Sequence, residues 1–254
     1  MSDLAADAVC RLLRGRFGEP YVYVVETEST QRLLSGSELA EGAVAVAEHQ
    51  TAGRGRLGRD WSDAPGRALL CSVLLRPPPR HEVAQLSLVV GLAVAVAVDE
   101  LAGLDTQLKW PNDVLLDGRK LAGVLLERAG ESVVCGIGIN VNQHAEELPG
   151  DTRLLPVSLR VATGRDHDRG ALLIRLLEAL EHRYLLWCVD GLRAVSPELE
   201  ARDVLRGRRI QVGGVTGVAD GIDQSGRLAV RLVDGDRRLV SSGEVELLAS
   251  SVSP

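Results

Sequence analysis

Apolar and polar positions along this chain mark out most of its elements before any chemistry is considered. The β-branched and aromatic run "YVYVVET" (21–27) reads as a strand, as does "AVAVAEHQ" (43–50), which ends in polar residues. A third strand, "ALLCSVLLRP" (68–77), is stopped by Pro77, Pro78 and Pro79. The run "LSLVVGLAVAVAV" (86–98) is apolar all round and too short to span a bilayer; with "DELAG" after it, it predicts a buried helix over 82–101 ending near Gly103. "TQLKWPNDVLLDGRKLAGVLLERAG" (106–130) predicts strand segments separated by turns at "WPND" and "DGRK", and "SVVCGIGINVN" (132–142) predicts an apolar strand ending in two asparagines. In "RGALLIRLLEALEHRYLLW" (169–187), Leu172, Leu173, Leu176, Leu177, Leu180 and Tyr184 recur at helical spacing, so one face of a helix is buried there. Two further helices are expected: an amphipathic one in "MSDLAADAVCRLLRG", which lacks the apolar core of a signal peptide, and one in "STQRLLSGSELAEG" (29–42) with Ser29 or Thr30 as N-cap. After Arg206 the helical period disappears. Short β runs cut by "DQSG" and "VDGD" predict a small all-β module of about five strands.

This pattern predicts an α+β fold: a mixed β-sheet with flanking helices over 1–203 and a small all-β domain over 204–254. The 254 residues suffice for one large and one small domain, and 45% hydrophobic residues support a sizeable core. A formal net charge of −6 argues against nucleic-acid binding through bulk charge. Cys10, Cys71, Cys135 and Cys188 form no C-x-x-C pair and lie in apolar or helical surroundings, so buried thiols in a reducing cytosol are expected. A cytoplasmic protein, bound neither to membrane nor to nucleic acid, fits these features.

Three stretches carry candidate chemistry. In "EHQTAGRGRLGRDW" (48–61), Arg54, Arg56 and Arg59 alternate with Gly53, Gly55 and Gly58. Glycines let backbone N–H groups turn toward an anion, and guanidinium forks suit phosphate or carboxylate. No Gly-Lys-Ser/Thr follows, so this is not a P-loop. In "LKWPNDVLL" (108–116), Pro111 stiffens the chain beside Trp110 and holds Lys109 at a rigid corner, where a fixed ammonium can meet developing negative charge. In "GIGINVN" (136–142), glycines inside an apolar strand point to close approach of a ligand or of another backbone segment. Taken singly, each stretch also fits an ordinary surface loop, turn or packing contact.

Taken together and in order, "TESTQ", "EHQTAGRGRLGRDW", "LKWPNDVLL", "KLAGVLLE" and "GIGINVN" resemble the biotin–protein ligases, also called biotin–[acetyl-CoA-carboxylase] ligases. The resemblance covers about 21–187, and the β module fits that family's SH3-like C-terminal domain on a class II synthetase-like body. It implies that biotin and Mg-ATP give biotinyl-5′-AMP and pyrophosphate. The biotinyl group then passes to a lysine of a biotin carboxyl carrier domain of a biotin-dependent carboxylase. Position by position, it implies that Ser29, Thr30, Gln31 and Gln50 contact the biotin ring, with Gly53 and Gly123 bringing backbone close. Arg54, Gly55 and Arg56 would cover the carboxylate and phosphate. Lys109 would contact both, making Lys109, Arg54 and Arg56 the catalytic group. Arg54, Arg59, Trp61, Lys109, Asn112, Lys120 and Asn140 would meet ATP or the adenylate. Metal ligands are not assigned. Gln31 departs from the family's usual asparagine by one methylene. The short stretch before the first strand predicts a monofunctional ligase without a DNA-binding domain, and monomer and homodimer both stay open. Lipoate or octanoate transfer, an RNA-binding Arg/Gly segment and an inactive ligase-like fold are the alternatives.

Overall fold

The computed structural model describes residues 2–35 and 38–248. Seven strands form the main sheet: β1 (Tyr21–Thr27), β2 (Val44–Gln50), β3 (Leu69–Leu75), β4 (Gln107–Lys109), β5 (Asp113–Leu116), β6 (Arg119–Ala129) and β7 (Ser132–Ile139). Their order is β1-β2-β3-β7-β6-β5-β4; β1 and β2 run parallel and every other pair is antiparallel, so the sheet is mixed as expected. At "DGRK", Asp117 and Gly118 both take positive φ (51° and 73°), the tight reversal that joins β5 to β6.

The helices are α1 (Ala6–Val9), α2 (Thr30–Leu34), α3 (Leu86–Ala102), α4 (Leu159–Thr163), α5 (Arg169–Asp190) and α6 (Ser196–Arg202). Helix α3 ends on Gly103 in the left-handed region, as the sequence predicts. With its first turn it forms a 20-residue apolar stretch, Val83–Ala102, of mean hydropathy 1.8. It lies buried in the core between the sheet and α5, which explains why it is apolar on all sides. All six positions of the predicted α5 stripe, from Leu172 to Tyr184, are buried, and Asp168 caps the helix by accepting from the N–H of Ala171 at 2.8 Å.

Two helix expectations need correction. The amphipathic N-terminal helix shrinks to the single turn α1. Its polar residues are drawn into long-range contacts: Arg169 donates to Asp3, and Ser2 to Glu48. The helix expected over 29–42 is only α2, and Ser29, at its N-cap position, makes no capping bond. The N–H and hydroxyl of Thr30 both go to Gln50 Oε1 instead (2.7 and 3.1 Å). Gly36 and Ser37 of that stretch lie outside the described residues.

The C-terminal module is a five-stranded antiparallel sheet: β8 (Arg209–Val212), β9 (Val215–Ile222), β10 (Leu228–Arg231), β11 (Arg237–Val240) and β12 (Val245–Leu247), in the order β11-β10-β9-β8-β12. It seats on the body around β4. Val204 N–H donates to Leu108 O (3.1 Å), Trp110 Nε1 to Gly226 O (2.9 Å) and Gln85 Nε2 to Gln224 O (3.0 Å).

Candidate active site

A cleft opens on one face of the main sheet, over strands β6 and β7. Its floor is glycine. A Cβ on Gly138 would lie 2.5 Å from the Trp61 ring, and one on Gly136 would lie 2.8 Å from the Gln31 amide carbon. Side chains at these positions would collide with Trp61 and Gln31, so the "GIG" pattern lets both pack directly on the strand.

One end of the cleft is uncharged and hydrogen-bonded. Ser29, Thr30 and Gln31 are each no more than 3% exposed. Gln50 Oε1 accepts from Thr30, whose hydroxyl also pairs with Ser72 (2.8 Å). Gln31 Nε2 donates to Leu125 O and Val134 O at 3.3 and 3.4 Å, reaching across the sheet over Gly136. Such a cluster holds donors and acceptors in fixed directions.

The other end is cationic. The basic loop is a short hairpin: Gly55 N–H donates to Arg59 O (2.7 Å), Trp61 N–H donates to Gly53 O (2.9 Å), and Leu57 takes φ 59° at the tip. Asp63 braces its return, accepting from Gln50 N–H at 3.3 Å with His49 Nδ1 3.2 Å away. Arg54 reaches Glu127 (3.0 Å), and Arg56 donates to Asn112 Oδ1 (3.0 Å), whose own amide donates to Val124 O. Lys120 pairs with Asp113 at 2.7 Å and lies 5.8 Å from the Trp61 ring centroid. The indole N–H of Trp61 is buried with no hydrogen-bond partner among the described residues.

Most of the residues singled out from sequence therefore line this one cleft: Ser29, Thr30, Gln31, Gln50, Arg54 and Gly55, together with Arg56, Trp61, Asn112, Lys120 and Gly123. Four do not, each for an identifiable reason. Gly53 packs under the backbone, where a Cβ would lie 2.6 Å from Trp61 O. Asn140 is buried behind the cleft, with its amide engaged by Lys120 O and Gln143. Arg59 turns to Glu244. Lys109, expected to be the central cation, is 8% exposed and donates to the backbone carbonyl of Val245 on β12 (2.9 Å). Burial pushes its ammonium below the ordinary lysine value; Asp113 opposes this, while the charges of Arg153, Lys120 and Arg59 add to it. The ammonium that faces the cleft is that of Lys120. Sequence reasoning missed the lining residues Gly136 and Gly138 as named positions, although the glycine spacing had marked the strand. It missed Arg153 and Glu244 altogether. Among the described residues, no group of three or more His, Cys, Asp or Glu is placed to hold a metal.

Known proteins resemble both parts of the chain. Residues 21–143 match the Biotin/lipoate A/B protein ligase family, and residues 207–248 match the Biotin protein ligase C terminal domain. The biotin–[acetyl-CoA-carboxylase] ligase of Mycobacterium tuberculosis is 41% identical over 241 residues, covering 87% of this chain and 86% of that protein. The bifunctional ligase/repressor BirA of Bacillus subtilis is 34% identical, covering 87% of this chain and 71% of that protein. The structure of an Aquifex aeolicus biotin protein ligase with biotin and ATP superposes with a TM-score of 0.82 at 33% identity, covering 90% of this chain and 98% of that one.

Proposed function

This chain belongs to the biotin protein ligases, and from that membership we propose how its cleft performs their reaction. It is an ATP-dependent ligase that activates biotin as biotinyl-5′-AMP and transfers the biotinyl group to a carboxylase. The acceptor is a lysine of the carboxylase's biotin carboxyl carrier domain.

The observation that supports our assignment of roles is the polarity of the cleft: a neutral hydrogen-bonding end and a cationic end, joined by a glycine floor. The ureido ring of biotin, rich in amide-like donors and acceptors, binds at Ser29, Thr30, Gln31 and Gln50. The tail runs along β6 and β7 beside the Trp61 ring, so its carboxylate reaches Arg54, Arg56 and Lys120. There a carboxylate oxygen attacks the α-phosphorus of ATP. An O–P bond forms, the bond to the bridging oxygen breaks, and its electron pair leaves with pyrophosphate. Two anions must approach each other, so positioning and fixed positive charge dominate catalysis. Lys120 holds carboxylate and α-phosphate together, while Lys109 and Arg59 face the departing phosphates. Magnesium enters with ATP as part of the substrate. In the second step the carrier's lysine amine attacks the acyl carbon and AMP leaves. The glycine-rich hairpin, with Trp61, shields the mixed anhydride from water. We assign 1–203 to catalysis and 204–254 to the C-terminal module, and the cytoplasm as the place of work.

Incubation with α-labelled ATP, biotin and a carrier domain tests this reading. Labelled biotinyl-AMP and biotinylated carrier are expected. Absence of both, or equal activation of lipoate, would overturn it.

A further inference from the structure

Three consecutive residues on and beside β12 hold three cations that come from three separate segments. Glu244 pairs with Arg59 of the basic hairpin and, at 2.5 Å, with Arg153 of the loop before α4. Val245 O accepts from Lys109 of the "KWPND" corner at 2.9 Å. Glu246 pairs with the other guanidinium nitrogen of Arg153. Two carboxylates thus face three cations, and one positive charge is left over. Arg59 follows Arg56 by three residues in the same hairpin, and Lys109 precedes the Asn112 and Asp113 that touch Arg56 and Lys120. The patch therefore continues the cationic end of the cleft.

We propose that Arg59, Lys109 and Arg153 form the seat of the β- and γ-phosphates of ATP, and that Glu244 and Glu246 occupy it as internal stand-ins until the nucleotide displaces them. The proposal rests on the adenylating function above. It adds Arg153 as a binding residue from a loop that no motif marks, and it gives β12 a role in nucleotide exchange. A pyrophosphate group carries more charge than two carboxylates and has oxygens on both phosphorus atoms, so it can engage both guanidinium forks at once. When the α–β bridge breaks, the charge that develops on the leaving pyrophosphate appears where these cations already converge. The existing pairs are partly exposed, from 34% to 54% at Arg59, Arg153, Glu244 and Glu246, so each is held weakly enough to exchange.

The test uses the full chain and inorganic pyrophosphate as probe. Arg153→Ala should raise KM for ATP and the inhibition constant of pyrophosphate by about tenfold, the loss of one charged hydrogen-bonding group. Its affinity for biotinyl-AMP, which lacks both phosphates, should stay within about twofold of the parent chain. Glu246→Gln, which removes a stand-in without removing a cation, should lower KM for ATP by about two- to threefold. Unchanged pyrophosphate inhibition in Arg153→Ala would overturn the seat, as would loss of biotinyl-AMP affinity in step with that for ATP. Unchanged or weaker ATP binding in Glu246→Gln would overturn the stand-in role. The parent chain runs alongside: failure to form biotinyl-AMP there would sink the adenylating reading itself, whereas an active parent with an indifferent Arg153→Ala variant would sink only this inference.

Discussion

At Gly138 an absent methyl group makes the site. The Trp61 ring lies where a Cβ would be, 2.5 Å away, and the same ring lies over Gly123. Gly138→Ala should displace the indole, cost about 1–3 kcal/mol of stability through overpacking and raise KM for biotin; a thermal melt and adenylation kinetics would check both. Lys120→Ala should lower the adenylation rate by about 10²–10³, since it removes a fixed charge aimed at the reacting groups. Lys109 is read out through pH. Its ammonium is pushed below the ordinary lysine value of 10.5, so it loses its proton at lower pH than a free lysine would. The alkaline fall in kcat/KM for ATP should begin below that value, and Lys109→Arg should move it upward; a fall that does not move would exclude Lys109 as its source. At this scale the sequence reveals which residue types gather, because Arg, Lys and Gly in "GRGRLGR", "KWPND" and "KLAG" carry recognisable chemistry. It does not reveal which of two lysines lines the cleft. That depends on a backbone carbonyl, and a carbonyl has no sequence signature.

At the scale of elements, long regular patterns are the legible ones. Helices α3 and α5 and the strands β1, β2, β3 and β7 were plain from periodicity, because one buried face or a continuous apolar run dictates each. The N-terminal segment was misread because its residues have stronger partners far away. Arg169, 6% exposed, binds Asp3 at 2.5 Å and Glu48 at 2.7 Å, and Tyr23 donates to Glu48 at 3.0 Å. Burial pushes the Glu48 carboxyl up, but bonds from Ser2, Arg169 and Tyr23 outweigh it and hold the group below the ordinary value of 4.5. For a lowered carboxyl, the stabilisation is complete above the unfolded-state value and disappears as pH falls through the folded one. Glu48→Gln should therefore lower the melting temperature at neutral pH, by the equivalent of about 1–3 kcal/mol, and flatten the loss of stability on acidification below 4.5. Equal acid slopes in parent and variant would show that the cluster lacks this role.

At the scale of the whole molecule, the body and the C-terminal module are joined beside the "KWPND" corner and not at a distant hinge. Trp110, 2% exposed and next to Lys109, donates its indole N–H to Gly226 O across the junction. Trp110→Phe should cost about 1 kcal/mol and raise KM for ATP while leaving KM for biotin unchanged, as steady-state kinetics would show. The two-part organisation was visible in the sequence as a change of texture after Arg206. The junction was not, because it pairs side chains of one part with carbonyls of the other. Lys109 and Val245 are 136 residues apart. That separation has a consequence during synthesis. The ribosome delivers the whole adenylating body before it delivers the strand that receives Lys109, so a nascent chain that stops short of Val245 leaves the Lys109 ammonium without this acceptor. The junction at Lys109 is therefore completed only when the last described strand has been made.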